Sequence, residues 1–533
     1  MWQHHYTPVA GSLGLSALVA AIPIFVLLYL LGVARRPAWV AALSGLGAAT
    51  LVALLVYGMP VSMLLSSIAY GGAFGLFPIS WVVFWAIVLY RMTVETGSFE
   101  ILKDSIGGLT NDRRLQALLI AFAFGAFIEG AAGFGAPVAV AAAMLAGLGF
   151  PPFHAAGICL LANTAPVAFG SIGTPIITLA GITGLPLGDL SAWVGRICAP
   201  VSVFVPAYLI LVMGGFRAVK GVLPAVAACG ISFASMQFLI SNYVGPQLTD
   251  IVSSLTAIGA LLLLFRFWKP RDTFALDGDR GANVPKHWAP RAVARAWLPY
   301  CLLVVFVFLW GQDWVKRPLD AATWRFDWPG LHNAILRVPP VVSKASPYAA
   351  AFTLNALIAS GTACLFAVLV SALLLRVKPA QMGRVLATSC RQLAFPVLTI
   401  VSVLGLAFLM NYSGATTTLG LAFAATGALF PFFSGLLGWL GVFLTGSDTS
   451  ANALFGSLQV VTAGRLGLNP VLMAAANSSG GVMGKMISLQ NIAVAVAATG
   501  MATSDEAKLF RFTLKHSIIL ATTISLIVVL YSL

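Results

Sequence analysis

Charged residues are scarce in this sequence: Asp, Glu, Lys and Arg together make up only 9% of its 533 residues. Soluble globular domains carry about 25% charged residues, because their surfaces face water. Hydrophobic residues reach 59% here, and the mean hydropathy is +0.96. A soluble globular fold is therefore excluded, and lipid is the expected solvent.

Motifs of soluble enzymes are also missing. The sequence has no Walker A loop, no HExxH motif and no GxSxG elbow in a strand-turn-helix context. The glycines of Gly130–Gly135 follow no predicted strand, so they do not indicate a nucleotide site. The six cysteines are scattered through apolar segments without metal-ligand spacing. We therefore predict neither an enzyme nor a bound cofactor or metal.

Long apolar runs are what the sequence has in abundance. Runs of about 20 apolar residues, which is the length that crosses the hydrocarbon core of a bilayer, begin with Leu13–Val33 and recur as far as Ile518–Leu533. They are longer and more continuous than the short alternating strands of a membrane β-barrel. The sequence therefore predicts an all-α polytopic membrane protein with about 12 to 14 transmembrane helices.

The formal net charge of +14 is concentrated in short loops between the apolar runs. Basic residues such as Arg35, Arg36, Arg113 and Arg114 assign these loops to the cytoplasm by the positive-inside rule, so the charge does not call for a nucleic-acid partner. The loop 312–346 mixes acidic and basic residues with tryptophans, and we place it outside. Both termini are then predicted to lie outside.

Two polar stretches divide the chain into transmembrane halves. We predict an N-terminal half over 1–268, a polar connector with one transmembrane helix over 269–346, and a C-terminal half over 347–533. Each half holds an apolar region dense in Gly, Pro, Ser, Thr and Asn, at 125–186 and 441–491, and short blocks recur in the same order in both, which indicates a repeat. Such residues unwind helices, and unwound backbone is tolerated at membrane depth only around a cavity or within protein. The two broken regions are therefore the predicted binding site.

Two carboxylates lie inside the broken regions. Glu129 is set in an apolar run, where a carboxylate costs about 2.5 to 3.5 kcal/mol on insertion scales, so it is expected to face a cavity or a partner. Burial favours the protonated form of a carboxyl, which makes Glu129 the first and Asp448 the second candidate for proton coupling. The alternatives are structural: Glu129 would cap a broken helix, and Asp448 would be the N-cap of the helix that follows it.

Lys485 and a set of neutral polar residues form the predicted substrate site. Lys485 is the only lysine between Leu436 and Thr503, and a buried ammonium would bind a substrate carboxylate or one of the two acidic side chains. The alternative is a lysine that snorkels to the cytoplasmic face. Neutral hydroxyl and amide groups suit a small polar substrate, although each could equally be a contact between helices. The neutral candidates are Asn163, Thr164, Ser171, Thr174, Asn477, Ser478 and Gln490.

Several motifs resemble the L-lactate permease family across essentially the whole chain. They include GAFIEGAAGFGAP from Gly125, LLANTAPVAFGSIGTPI from Leu160, FLTGSDTSANALFGSLQ from Phe443 and AAANSSGGVMGKMISLQN from Ala474. The resemblance implies a proton-coupled symporter that takes up L-lactate, D-lactate and glycolate across a bacterial cytoplasmic membrane. It also implies two inverted-topology repeats with re-entrant hairpins. The expected partners are thus a small 2-hydroxy monocarboxylate, a proton and the lipid bilayer.

A sodium-coupled carboxylate transporter or a cation/proton antiporter is the alternative function. In that case Asp448 and the neutral Asn and Ser side chains would be cation ligands. Uptake that depends on sodium rather than on pH would distinguish this alternative from proton symport.

Overall fold

The computed structural model describes residues 1–133, 135–272, 274, 276, 286 and 288–533, and these are mostly helical. Helices prevail because a membrane helix satisfies its backbone hydrogen bonds internally. Within the described ranges, ten helices are long and apolar enough to cross a membrane, or thirteen when three bent helix pairs are each counted as one span. The prediction of an all-α polytopic membrane protein is confirmed, and the larger count lies within the predicted range.

The first fourteen helices fill the N-terminal part of the chain. They are α1 (Leu13–Ala20), α2 (Ile22–Gly32), α3 (Ala38–Leu55), α4 (Val61–Phe74), α5 (Trp81–Glu95), α6 (Ser98–Gly107), α7 (Arg113–Gln116), α8 (Gly125–Ala131), α9 (Ala136–Gly147), α10 (Pro152–Ala162), α11 (Gly170–Thr183), α12 (Leu187–Gly221), α13 (Leu223–Tyr243) and α14 (Thr249–Phe267). A π-helical segment, Ala117–Phe124, joins α7 to α8, and the resulting span Arg113–Ala131 is buried along its whole length.

The remaining helices and five short strands complete the described chain. The helices are α15 (Pro290–Gly311), α16 (Asp313–Asp320), α17 (Ser360–Leu375), α18 (Pro379–Ser413), α19 (Ala415–Phe423), α20 (Phe430–Thr445), α21 (Asp448–Leu466), α22 (Pro470–Gly484), α23 (Leu489–Thr499) and α24 (Glu506–Ser532). The strands are β1 (Trp2–Gln3), β2 (Trp324–Asp327), β3 (Ile335–Arg337), β4 (Ser346–Pro347) and β5 (Ala351–Leu354).

The strands tie the N-terminus to the loop that the sequence places outside. β1 pairs in parallel with β3, β4 pairs antiparallel with β3, and β2 pairs antiparallel with β5. The N-terminus and the loop therefore lie on one face of the helical bundle. The predicted connector contains α15 and α16, while its residues 273, 275, 277–285 and 287 lie outside the described residues. The division of the chain into two halves and a connector stays a prediction.

The first broken region begins within hairpin 1, which is formed by the span Arg113–Ala131 and by α9. In its turn, Gly133 and Gly135 adopt positive φ values of 61° and 80°, which glycine tolerates because it has no Cβ. Arg113 Nη1 donates to the carbonyl oxygen of Leu148 at 2.7 Å. This hydrogen bond joins the start of the span Arg113–Ala131 to the residue that follows α9. Both ends of hairpin 1 therefore lie on the same face of the bundle.

The second broken region begins with hairpin 2, formed by α20 and α21. Gly446 makes the turn with a φ of 72°. Ser447 is the N-cap of α21, since its side chain accepts a hydrogen bond from the backbone N–H of Ser450 at 3.2 Å. Asp448 is thus the first residue inside the helix, and the alternative that it is the N-cap is wrong.

The two hairpins enter the bundle from opposite faces. Arg465, near the end of α21, lines a surface cavity together with Thr7, on the face of the N-terminus. The crossings α1–α2, α3 and α4–α5 separate that face from Arg113 at the start of hairpin 1. The positive-inside rule predicts that the face of Arg35 and Arg113 is cytoplasmic. With that orientation, hairpin 1 enters from the cytoplasm and hairpin 2 from outside; this orientation and a repeat behind the arrangement stay predictions.

Each hairpin is followed by a bent span with an irregular break. The pair α10 and α11 bends by 65° near a 3-10 turn, Val167–Phe169, and the pair α22 and α23 bends by 43° near a 3-10 turn, Lys485–Ile487. α11 packs along α21, and α23 packs along α9. The broken span of each region thus lies against the hairpin of the other region, and this crossing brings the breaks together.

Glycines bring α20 and α22 into close contact. A side chain at Gly438 would collide with the backbone of Asn477, and a side chain at Gly480 would collide with that of Gly435. Small residues of this kind let membrane helices approach until their backbones touch. The contact fixes hairpin 2 against the broken span that follows it.

We expect Gly438→Ala to lower the thermal stability, because the added methyl group meets the backbone of Asn477. Overpacking of this kind typically costs about 1 to 3 kcal/mol. Gly464→Ala is the matched control, because Gly464 lies inside α21 with no atom within 4 Å of an added Cβ. Thermal unfolding of the purified proteins in detergent measures the difference. Equal unfolding temperatures for the two variants would contradict the proposed close packing.

Candidate binding site

The helix breaks surround a cavity of about 260 Å³. Sites for drug-sized ligands measure about 300 to 1,000 Å³, so this cavity suits a smaller molecule. The helices α9, α21 and α23 begin at its wall, and helix N-termini favour bound anions. The lining residues are Ala38, Trp39, Glu129, Gly135, Val167, Gly170, Ser171, Pro175, Phe395, Pro396, Thr399, Ile400, Thr445, Gly446, Ser447, Asp448, Thr449, Ser450, Lys485, Gln490 and Asn491.

A buried ion pair joins the two broken regions at this cavity. Lys485 Nζ donates to Glu129 Oε1 at 2.7 Å. The two residues are 7% and 3% exposed, respectively. Lys485 therefore does not snorkel to the cytoplasmic face. Glu129, which was expected to face a cavity or a partner because it lies in an apolar run, is paired with this lysine. The second carboxylate oxygen, Oε2, has no hydrogen-bond partner among the residues that the structure describes.

Glu129 packs directly against the backbone of the other break in its own region. A Cβ at Gly170 would lie 2.5 Å from Glu129 Oε1, so only glycine leaves room for this carboxylate. Beyond Gly170 the backbone turns left-handed, with φ values of 45° at Ser171 and 59° at Ile172. Residues with side chains rarely adopt this conformation, which costs of the order of 1 to 3 kcal/mol each and is often found at functional sites. The break next to Glu129 is therefore held under strain.

Asp448 is the second carboxylate at the cavity, on the first turn of α21. Its Oδ2 accepts hydrogen bonds from Ser478 Oγ at 2.6 Å and from Asn452 Nδ2 at 3.4 Å. Its Oδ1 has no such partner within the described part of the chain. The N-terminus of α21 favours a negative charge at this position.

A chain of buried side-chain hydrogen bonds leads away from Asp448 into the interior. Asn477 Nδ2 donates to Asn452 Oδ1 at 2.9 Å, and Gln459 Nε2 donates to Asn477 Oδ1 at 3.1 Å. Ser434 Oγ then donates to Gln459 Oε1 at 2.7 Å. We call this set the buried polar chain; its members are Asp448, Ser478, Asn452, Asn477, Gln459 and Ser434. Asn477 and Ser478 thus connect helices, and neither lines the cavity.

The remaining predicted residues divide between the cavity and the helices around it. Ser171 and Gln490 line the cavity, and Ser171 Oγ donates to the carbonyl oxygen of Ala132 in the turn of hairpin 1 at 2.9 Å. The other three, Asn163, Thr164 and Thr174, are buried but do not line it.

The two threonines of this group are bonded locally. Thr164 Oγ1 donates to the carbonyl oxygen of Leu161 at 2.8 Å, and Thr174 Oγ1 donates to that of Ser171 at 2.6 Å. Their hydroxyl groups therefore satisfy the backbone around the α10–α11 break. This placement supports a structural contribution more than direct contact with a ligand.

Sequence reasoning missed several residues that the fold brings to this region. Trp39 and Phe395 line the cavity at its cytoplasmic end and stack with their ring centroids 5.5 Å apart. They belong to α3 and α18, so no sequence signal could have paired them. Asp250 is buried next to hairpin 1, and the rule that an acidic residue in an apolar helix is functional would have found it.

The comparison with known proteins decides the family. The family model described as L-lactate permease matches residues 16–533. The chain belongs to the L-lactate permease family. The family is one of permeases, and with its many spans this member is a multi-pass protein of the bacterial inner membrane. The resemblance that the motifs indicated is thereby confirmed.

Individual relatives match this permease-family chain over nearly its full length. The L-lactate permease of Bacillus subtilis is 46% identical over 99% of this chain and 97% of its own. The glycolate permease GlcA of Escherichia coli is 45% identical over 99% of this chain and 98% of its own. Among solved structures, MtrF of Neisseria gonorrhoeae, described as a member of a class of antimetabolite efflux pumps, is 13% identical with a TM-score of 0.48, over 90% of this chain and 85% of that chain.

We expect Lys485→Met to lower the unfolding temperature markedly, because Glu129 would be left as a buried carboxylate without its cation. Removing one partner of a buried pair costs about 3 to 5 kcal/mol. The double variant Glu129→Gln with Lys485→Met should recover most of the loss, since neither charge remains. Thermal unfolding of the wild type, the two single variants and the double variant measures the coupling between the side chains.

Lys103→Met is the control for this cycle. Lys103 pairs with Glu100 at 2.7 Å, and the two side chains are 28% and 65% exposed. An exposed pair contributes about 0 to 1 kcal/mol, so this variant should unfold close to the wild type. A Lys485→Met protein that is as stable as Lys103→Met would show that the buried pair does not stabilise the fold.

Proposed function

We propose that the protein is a secondary transporter that takes up 2-hydroxy monocarboxylates, namely L-lactate with D-lactate and glycolate, together with protons. The observation that carries the proposal is the ion pair of Lys485 and Glu129 at the wall of a small cavity. The pair contains the two groups that such a symport requires: a cation for the substrate carboxylate and a carboxylate for the proton.

Lys485 is suited to bind the carboxylate of the substrate. It is the only lysine or arginine that lines the cavity among the residues described. The N-terminal turns of α21 and α23 add backbone N–H groups and a favourable dipole for an anion. Transporters with discontinuous helices bind anionic substrates at half-helix N-termini in this way.

The proton follows from the charge balance of the site. When a substrate carboxylate takes the place of Glu129 Oε1 at Lys485 Nζ, Glu129 would be left as an unpaired buried anion. Such a charge is costly in the interior, so Glu129 is expected to bind a proton as the substrate binds. The loaded site then keeps the net charge of the empty one. Substrate and proton can therefore cross together at lower cost than either could alone.

The rest of the cavity fits a short 2-hydroxy acid. Ser171, Gln490 and Asn491 supply hydroxyl and amide groups for the substrate hydroxyl, and Trp39 and Ile400 supply an apolar wall for a methyl group. The names of the relatives support this substrate class, since one is an L-lactate permease and another a glycolate permease. The two substrates differ by one methyl group, which a hydrophobic pocket discriminates by about 1 to 3 kcal/mol.

Alternating access would be achieved by movement around the broken regions. The cavity reaches Ala38 and Trp39, at the end of α3 that the positive-inside rule assigns to the cytoplasm, which supports a state in which the site faces the cytoplasm. The turn of hairpin 2 and the α10–α11 break both line the cavity. We propose that rearrangement of the two predicted halves opens the site to the outer side.

In proteoliposomes, Glu129→Gln should abolish L-lactate accumulation driven by a proton gradient, because glutamine cannot bind the coupled proton. Exchange of internal for external lactate should persist, because it needs no net proton transfer. Uptake of labelled lactate with and without a gradient provides the measurement. Glu100→Gln is the control, because this glutamate is exposed on α6 and does not line the cavity.

The same assay tests the coupling ion and the substrate separately. Gradient-driven uptake by Glu129→Gln at the wild-type level would refute the role of this residue. Uptake by the wild type that responds to sodium and not to pH would instead support the sodium-coupled alternative. Competition by unlabelled D-lactate and glycolate measures the substrate range.

A further inference from the structure

We propose that Asp250 relays the coupled proton from the outer face to Glu129. This inference rests on the proposed function, since it supplies a route for the proton of that symport. Asp250 is the second residue of α14, it is not among the residues that line the substrate cavity, and the steps described above do not use it.

Asp250 is a buried carboxyl without a hydrogen-bond partner. The residue is 1% exposed, and neither side-chain oxygen has a partner in the ranges that the structure describes. An ionised carboxylate in such surroundings costs several kcal/mol, whereas the protonated form carries no charge to desolvate. The geometry therefore favours a proton on Asp250 while Glu129 is paired with Lys485.

Asp250 contacts the residue that follows Glu129 in hairpin 1. A Cβ at Gly130 would lie 2.8 Å from the Cβ of Asp250, so glycine at this position lets α14 touch the hairpin. Glu129 uses Oε1 for Lys485, and its Oε2 has no partner in the described chain. Glu129 Oε2, an acceptor without a hydrogen bond, thus belongs to the residue that directly precedes the contact of Gly130 with Asp250.

A second cavity, of about 280 Å³, lies next to the connection that precedes Asp250, at the predicted outer face. It is lined by Gln247, three residues before Asp250, and by Lys316 and Asn355, which flank the outer strands. Pro246 packs against Gly173 in the strained turn of α11. The connection between α13 and α14 therefore contacts the outer cavity through Gln247 and the strained turn of α11 through Pro246, and Asp250 belongs to the first turn of the helix that follows it.

The charged groups around Asp250 give the relay its direction. Within the described part of the chain, Asp250 interacts electrostatically with Glu129 and Lys485. It also interacts with the thiol of Cys198 on α12. When a substrate carboxylate occupies Lys485, Glu129 loses its cation and becomes the better proton acceptor. The O–H bond of Asp250 then breaks and an O–H bond forms on Glu129, directly or through water. A hydronium ion from the outer cavity then returns a proton to Asp250 and becomes water.

The test is Asp250→Asn in proteoliposomes, since asparagine has nearly the same shape but cannot release and regain the proton. We expect L-lactate accumulation driven by an outside-acid gradient to fall by about tenfold or more, as is typical when a positioned proton-transfer group is removed. Lactate-for-lactate exchange should stay close to the wild type. Asp250→Glu should restore part of the gradient-driven uptake and shift its dependence on external pH.

The matched control is Asp189→Asn. Asp189 lies in the first turn of α12 on the same outer face but is exposed, so both activities should be retained. Accumulation by Asp250→Asn within about twofold of the wild type would overturn the relay, because a group on the proton path is expected to contribute far more. Loss of exchange together with accumulation would also overturn it and indicate a structural role. Failure of the proposed function would look different, because the wild type itself would then transport no lactate.

Discussion

The ion pair between Lys485 and Glu129 is the interaction on which the arrangement of this protein depends. Its partners are separated by 356 residues, and each lies in a different broken region. A buried ammonium and a buried carboxylate are each costly alone, but together they compensate much of the loss of solvation. The pair forms only when hairpin 1 and the α22–α23 break meet, so it couples the assembly of the two regions to the geometry of the site. It is also the contact that a carboxylate substrate and a proton would replace.

The breaks that expose the site are stabilised by their surroundings. Ser171 and Ile172 hold a left-handed conformation that costs free energy, and the backbone beside them packs against Glu129 and Pro246. Glycines at the contact of α20 and α22 let hairpin 2 sit tightly against the following span. Close packing of this kind is what membrane helices use in place of a hydrophobic driving force. Strained backbone and unwound turns can persist at membrane depth because protein, rather than lipid, surrounds them.

The polar residues of the interior fall into two classes that the fold separates. Asp448 and Ser171 reach the cavity, whereas Asn477 and Gln459 are fully engaged in the buried polar chain. A polar network in which the members satisfy one another makes a core specific, because any displacement leaves buried groups unpaired. Asp448 belongs to both classes, since one oxygen accepts hydrogen bonds from the chain and the other has no partner among the described residues. The buried polar chain thus connects the cavity wall at Asp448 with Ser434 on α20 of hairpin 2.

The sequence by itself determined the membrane setting, the helical class, the positions of the broken regions and the family. It also indicated Glu129, Asp448 and Lys485. A charged side chain within an apolar run is costly to insert into a membrane, so its presence in the sequence alone predicts a functional or paired group. Neutral residues carry no such signal: serine, threonine and asparagine serve equally as helix contacts or as ligands, so only the fold placed Ser171 at the cavity and Asn477 in the interior. Residues that meet across distant helices, such as Trp39 with Phe395, depend on packing between segments that the chain separates by hundreds of residues. Asp250 could have been recognised by the same free-energy argument as Glu129, but its contact with hairpin 1 beside Glu129 depends on how α14 packs, which only the tertiary structure decides.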